Sequence, residues 1–438
     1  MMKKILFALA LVFALAGCSE DRSQILKVYN WADYIDEGLL EEFEQWYEEE
    51  TGEHVEIIYQ TFDINETMLS KIELGHEDYD VVCPSDYIIE RMLKNDLLLP
   101  LNKDFGKTPN YLDNVAPFMN EKMGEIEEDG RNGNDYSVAY MWGTVGLIYN
   151  PKYVSEKEVH SWDVLRNPAY SGKVLMKDAY RDVYTSFLIA LNREKIDAGE
   201  KDITTLTYDT SEESIALVEN YLHSFRESIC GWEADFGKEQ MTKELAWINL
   251  SWSGDAQWAI DEAAEIGMEL RYAIPETGST VWFDGWVIPK YAQNVKAANY
   301  FINFMCKPEN ALRNMDMTGY VSAVGGAEVL ENMSDPESYE PIDASYFFGP
   351  EATDVCVNPV MYPSRSTVDH CGMMHDTDTE ALLKMWSRVK GDNASAWTYT
   401  LICLVFAGLI TLVILKYTRK AYRRRNHRRK YSKKVTRR

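Results

Sequence analysis

Basic residues are scarce through most of this chain. Of its 45 lysines and arginines, 13 fall between Lys416 and Arg438, and Lys3 and Lys4 stand at the start. The remaining 30 face all 70 acidic residues, a net charge of −40 between Cys18 and Asn393. Such a body repels nucleic acid and anionic lipid and attracts cations. Cysteine is also sparse. Seven occur, and with Cys18 and Cys403 set aside at the two ends, five are left, an odd number. Cys356 and Cys371 could bridge, but this is no disulfide scaffold. Proline- and glycine-rich tracts and internal repeats are missing, and 46% of the residues are hydrophobic, so the body is globular. Missing too are a Walker loop, H-E-x-x-H and G-x-S-x-G. His370, Cys371, His375 and Asp376 form the one metal-like grouping, at a spacing that matches no zinc pattern. The expectation is a protein that is not an enzyme and holds no metal or cofactor.

The two ends carry what the body lacks. Lys3 and Lys4 precede an apolar run, Ile5 to Ala14, too short to span a membrane comfortably. It leads into Leu15-Ala16-Gly17-Cys18, which resembles a bacterial lipobox, so residues 1–18 read as a lipoprotein signal with Cys18 lipidated. At the other end, Ala394 to Leu415 holds no charge and is about 33 Å long as a helix. It is expected to be a transmembrane helix, with the basic tail 416–438 in the cytoplasm by the positive-inside rule. Both ends then place the acidic body outside the cytoplasm.

Within the body, apolar β-branched runs alternate with helical patterns. Ile25–Tyr29, His54–Phe62 and Tyr79–Val82 read as strands. Between them Leu39, Leu40, Phe43, Trp46 and Tyr47 line one helix face, and Asn65–Leu74 is a second helix with Asp63 or Asn65 placed to cap it. A second set follows: strands at Lys173–Met176 and Ala246–Trp252, helices at Tyr184–Leu191, Ser211–Phe225, Asp255–Ala264, Ala292–Cys306 and Thr377–Lys390, with Gly319–Gly325 as a loop. Tyr136–Tyr149 reads as a strand or crossover segment. The alternation predicts an α/β fold with largely parallel, helix-covered sheets.

Aromatic and acidic residues cluster where these apolar runs give way to turns, the place where open α/β sheets bind ligands. Trp31 and Tyr34 lie in YNWADY, Ser85 and Tyr87 in PSDY, Asp178 and Asp182 in DAYRD, Trp252 and Asp255 in WSGD, and Trp282 and Asp284 in WFD, with Tyr320 in a later loop. Ring faces attract cations and pack on methylene chains, while carboxylates pair with ammonium groups. A linear aliphatic polyamine satisfies both. Trp46, Trp142, Trp247 and Trp258 read as structural.

At these residues the chain resembles the spermidine/putrescine-binding proteins of bacterial ABC importers. The likeness runs from Ile25 to Gly391 and includes YNWADY, the NETM of Asn65–Met68, YDVVCPSDY, YMWG, SWSGDA, VWFDGWVIP and the TGY ending at Tyr320. It implies a two-lobed periplasmic-binding-protein type II fold with crossing hinge segments, closing on a polyamine and delivering it to an ABC permease. One lobe would hold 25–135 and 281–322, the other 141–280 and 323–391. Trp31, Tyr34, Tyr87, Trp252, Trp282 and Tyr320 would be the aromatic walls, Ser85 a contact to one amine, and Asp178, Asp182, Asp255 and Asp284 the acidic partners. Ala32 stands where the family commonly has a hydroxyl, and DAYRD spaces its acids one residue wider than spermidine-type members. Asp255 resembles putrescine-type members and Tyr34 and Tyr87 spermidine-type ones, so the choice of polyamine stays open. A monomer is expected, and a polyamine sensor or a binder of another organic cation, such as thiamine, are the alternatives. An enzyme on this fold would need a nucleophile facing the cleft, and Cys83, the best placed thiol, falls within a buried strand pattern.

Overall fold

The computed structural model describes residues 22–234 and 237–391. Three strands open the first lobe: β1 (Ile25–Trp31), β2 (Glu56–Phe62) and β3 (Val81–Val82). β1 lies between the other two and runs parallel to both, with Val28 beside Tyr59 and Val81. Its residues are buried on both faces, as a sheet covered by helices on each side requires. Helix α1 (Gly38–Thr51) buries Leu39, Phe43 and Tyr47, one face at i, i+4 and i+8. Gly52 ends it in the left-handed region (φ 70°), its N–H returning to the Glu48 carbonyl. Helices α2 (Asn65–Glu73) and α3 (Asp86–Lys94) follow β2 and β3.

Two long strands then carry the sheet from one lobe to the other. β4 (Ser137–Tyr149) is buried at all thirteen positions. β5 (Val174–Lys177), β6 (Ile229–Glu233), β7 (Ile248–Trp252) and β8 (Arg271–Ala273) belong to the second lobe. β9 (Ser279–Val287) is again buried throughout and runs antiparallel to β4, Val281 beside Thr144 and Val287 beside Ser137. The order is β2-β1-β3-β9-β4-β7-β5-β6, with β8 and a short β10 (Val321–Ser322) on β4, and β11 (Cys371–Met373) on β9. The second lobe is parallel between β5 and both its neighbours and is covered by helices α4 (Tyr180–Leu191), α5 (Glu212–Ser224) and α6 (Ser253–Glu265). This is the expected two-lobed α/β architecture.

Several expectations need correction. A transmembrane helix is not part of the described fold. No helix among the described residues is long and apolar enough to cross a membrane. The fourteen residues of α1 reach only about 21 Å, against a hydrocarbon core of about 30 Å. Residues 394–415 and the tail 416–438 lie outside the described residues, as do Cys18 and the signal segment. Trp282 and Asp284 stand inside a buried strand rather than at a turn. The segment Gly319–Gly325 is not all loop, since Val321–Ser322 pairs with β4. Asn65 is no cap: Ile64 holds that position, without a side-chain hydrogen bond. Cys356 and Cys371 are free, not bridged. Trp142 is core, stacked on Phe347, and Trp46 and Trp247 pack on Phe304 and Tyr153. Trp258, by contrast, is 50% exposed.

Candidate functional site

The antiparallel register of β9 and β4 slips between Asp284 and Gly285. Such a bulge bends the strand and re-aims a side chain. Gly285 donates its N–H to the Pro84 carbonyl at 3.0 Å, which brings the end of β3 beside Asp284. The Asp284 carboxylate is 7% exposed and accepts two hydroxyl hydrogen bonds, from Tyr34 (2.9 Å) and from Ser85 (2.6 Å). Ser85 stands at the N-cap position of α3, yet its hydroxyl serves Asp284 instead of the helix. Asn65 braces this end, donating to the Ser85 hydroxyl (3.0 Å) and the Tyr87 hydroxyl (3.2 Å). Burial pushes the Asp284 carboxyl up to about 6, against two lowering hydrogen bonds from Ser85 and Tyr34, and Asp182 adds a like-charge push.

Asp182 comes from the first turn of α4, which begins at Tyr180, four residues before the expected start. It is 8% exposed and accepts the Trp252 indole N–H at 3.0 Å. Burial raises it to about 6 as well. Rings enclose the pair. Trp252 and Trp282 lie 6.5 Å apart, Trp282 and Tyr320 5.7 Å, and Tyr320 and Tyr34 5.4 Å, all edge to face. Two glycines make room for them. A Cβ on Gly143 would fall 2.6 Å from the Trp282 ring, and one on Gly254 2.5 Å from the Tyr320 ring. The glycines of YMWG and SWSGDA are thus close-approach positions for site aromatics.

The opposite end is built from three strand termini. Lys177 ends β5, Glu233 ends β6 as its register partner, and Trp252 ends β7, with Asp255 in the first turn of α6. The Lys177 ammonium donates to Asp255 Oδ2 (2.7 Å) and the Ala234 carbonyl (2.5 Å), and lies 3.5 Å from Glu233 Oε1. It also sits over the Trp252 ring, 4.0 Å from its centroid. Asp255 Oδ1 accepts the Tyr320 hydroxyl at 2.9 Å and lies 3.7 Å from the Lys238 ammonium. Burial alone would raise the Asp255 carboxyl, but Lys177, Lys238 and Tyr320 outweigh it and hold the group below its ordinary value.

The structure brings together nine of the eleven expected ligand residues: Tyr34, Ser85, Tyr87, Asp182, Trp252, Asp255, Trp282, Asp284 and Tyr320. Of the other two, Trp31 packs its ring on Phe62 (4.5 Å), and Asp178 is exposed just beyond Lys177. Residues that the sequence reading passes over are Lys177, Asn65 and Asp86. The strand was expected to stop at Met176, one residue short of Lys177. Asp86 is wholly buried, with one oxygen bound by the Tyr87 N–H (2.7 Å) and the other without a hydrogen bond among the described residues. Burial pushes its carboxyl well above the ordinary value, and the charges of Asp284 and Asp182 add to that push. The metal-like grouping is spent elsewhere: His375 Nδ1 is 3.1 Å from Glu90, Arg91 pairs with Asp376 (2.5 Å), and His370 meets the Glu276 carbonyl. Those contacts tie Glu90 and Arg91 of α3 to His375 and Asp376, and Arg181 of α4 lies over the Tyr87 ring of α3, 4.4 Å from its centroid.

The family model described as bacterial extracellular solute-binding protein matches residues 40–339, and a prokaryotic membrane lipoprotein lipid attachment site matches residues 2–19. Over 319 residues the chain is 30% identical to the spermidine/putrescine-binding periplasmic protein of Escherichia coli, covering 73% of this chain and 83% of that one. It is 29% identical over 340 residues to the putrescine-binding periplasmic protein SpuD of Pseudomonas aeruginosa, covering 75% and 86%. Among solved structures, the spermidine/putrescine ABC transporter substrate-binding protein PotD of Streptococcus pneumoniae aligns with TM-score 0.62 at 29% identity, over 84% of this chain and 97% of that one.

Proposed function

The chain belongs to the bacterial extracellular solute-binding protein family, and from that premise we propose that it binds an aliphatic polyamine outside the cytoplasm and hands it to an ABC permease. One observation carries the reading. Asp284 and Asp182 are buried together among Trp252, Trp282, Tyr34 and Tyr320, and no ion pair to either forms among the described residues. Buried carboxylates without a cation are costly, and an ammonium ligand removes that cost. Rings on each side take up the ligand's carbon chain. Burying a four-methylene spacer contributes roughly 3 kcal/mol, and an ammonium over a desolvated ring on the order of 1–2 kcal/mol.

In this proposal the lobes are 25–135 with 281–322 and 141–280 with 323–391, and β4 and β9 are the hinge between them. Ligand binding shifts the hinge toward the closed form, which the permease recognises. Cys18 carries the lipid that holds the protein at the outer face of the membrane, and no chemistry is performed on the ligand. The test is calorimetric titration of the full chain in detergent with putrescine, cadaverine, spermidine and spermine. Micromolar or tighter binding of at least one is expected. Folded protein that gives no heat with any of them overturns the reading.

A further inference from the structure

Among the described residues, two acid-and-tryptophan places occur in the cleft, and in only one of them does a cation of the protein's own form an ion pair with the acid. Lys177 is 1% exposed, and its ammonium has three protons to donate. They face Asp255 Oδ2, the Ala234 carbonyl and Glu233 Oε1, so the group is fully engaged. Its position over Trp252 is the one a ligand ammonium would take between that ring and Asp255. The charge of Asp255 is already matched: Oδ2 accepts from Lys177, and Oδ1 accepts from Tyr320 and lies 3.7 Å from the Lys238 ammonium. An ammonium arriving there would meet a neutralised carboxylate and the like charge of Lys177.

We infer that Lys177 is a built-in ammonium that fills the Trp252–Asp255 end of the cleft, leaving only the Asp284–Asp182 end for ligand. The inference rests on the polyamine reading and narrows it to a short diamine. A triamine or tetraamine has a further cationic arm, and its place between the Trp252 ring and Asp255 is already taken by Lys177. Asp284 and Asp182 supply two carboxylates, which match the two charges of a diamine.

The experiment is competition calorimetry on the full chain with putrescine, cadaverine, spermidine and spermine, repeated on Lys177→Met. Wild type should bind a diamine at least tenfold more tightly than spermidine, and Lys177→Met should shift that ratio at least tenfold toward spermidine. Since Lys177→Met leaves two buried acids without their cation and can fail to fold, the double variant K177M/E233Q removes one charge of each sign. It keeps Asp255 for the ligand and should show the same shift. Spermidine binding to wild type as tightly as the diamines overturns the inference and leaves the polyamine reading intact, as does an unchanged ratio in the folded double variant. Binding of none of the four to folded wild type overturns both.

Discussion

The two ends of the cleft use the same residue types to opposite effect. At one end Asp284 and Asp182 are buried with hydroxyl and indole donors and are pushed up to about 6. At the other, Asp255 is just as buried but is held below its ordinary value by Lys177. A hydroxyl or indole N–H stabilises a carboxylate without cancelling its charge, whereas an ammonium cancels it. Burial plus an acid and an aromatic therefore does not define a cation site. What defines one is whether the protein has already supplied the cation.

Stability should separate the ends most strongly. Breaking a buried ion pair from one side typically costs about 3–5 kcal/mol, because the other charge stays buried. Lys177→Met should lose stability on that scale in chemical denaturation of the ligand-free protein, since Glu233 and Asp255 lose their shared ammonium. Asp284→Asn removes an unpaired buried charge and should leave ligand-free stability at pH 7 equal or higher. Equal losses in the two variants would erase the distinction.

Binding should show the reverse order. Asp284→Asn exchanges a charged acceptor for a neutral one, and hydrogen bonds to charged groups contribute about 1.5–3 kcal/mol. Polyamine affinity should fall at least tenfold by calorimetry. An unchanged affinity would remove Asp284 from the site.

Acidity sharpens the same contrast. Asp284 and Asp182 have folded values near 6 against an ordinary 3.8. Between those values the folded, ligand-free protein holds more protons than the unfolded chain, so these groups make it more stable as pH falls from about 7 to 4. The ligand needs the ionised forms, so affinity should drop as pH falls through about 6, with protons released on binding near that pH. Asp255 behaves oppositely. Its folded value is depressed, so its contribution is present above the unfolded value and is lost as pH falls through the folded one. Calorimetry in buffers of different ionisation enthalpy counts the protons, and none released at pH 6 would contradict the Asp284–Asp182 assignment.

Much of this was legible in the chain, and the failures share a cause. β1, α1 and β4 follow their hydrophobic periods closely, because each buries a face or a whole strand that local residues announce. WFD was expected at a turn, and its place in the middle of β9 was not foreseen. A bulge depends on the partner strand, and the register slip at Asp284 is set by β4 and the Pro84 carbonyl. Lys177 was passed over for a related reason. A lysine ending an apolar run reads as exposed, and only the neighbouring ends of β6 and β7 supply the acids and ring that bury it. For Trp31 the sequence could not show that its ring would pack on Phe62 of β2, a contact that only the pairing of β1 with β2 creates.

The smallest expected effect concerns the rings that the two ends share. Gly143 lies under Trp282, which stands between the Asp284 end and Tyr320, and Gly254 lies against Tyr320, whose hydroxyl goes to Asp255. An added methyl at either must move a ring, and overpacking of this kind costs about 1–3 kcal/mol. Displacing Trp282 disturbs the face offered to ligand, so Gly143→Ala should weaken diamine binding by about fivefold, corresponding to ~1 kcal/mol. Displacing Tyr320 should act first on a bond within the protein, the one to Asp255, so Gly254→Ala should lower the unfolding midpoint while changing diamine affinity less than Gly143→Ala does. Paired titrations and melts on the two variants measure both quantities. A larger affinity loss at Gly254 than at Gly143 would mean that ligand reaches the Asp255 end after all, and the contrast between a filled and an open cation place would fall with it.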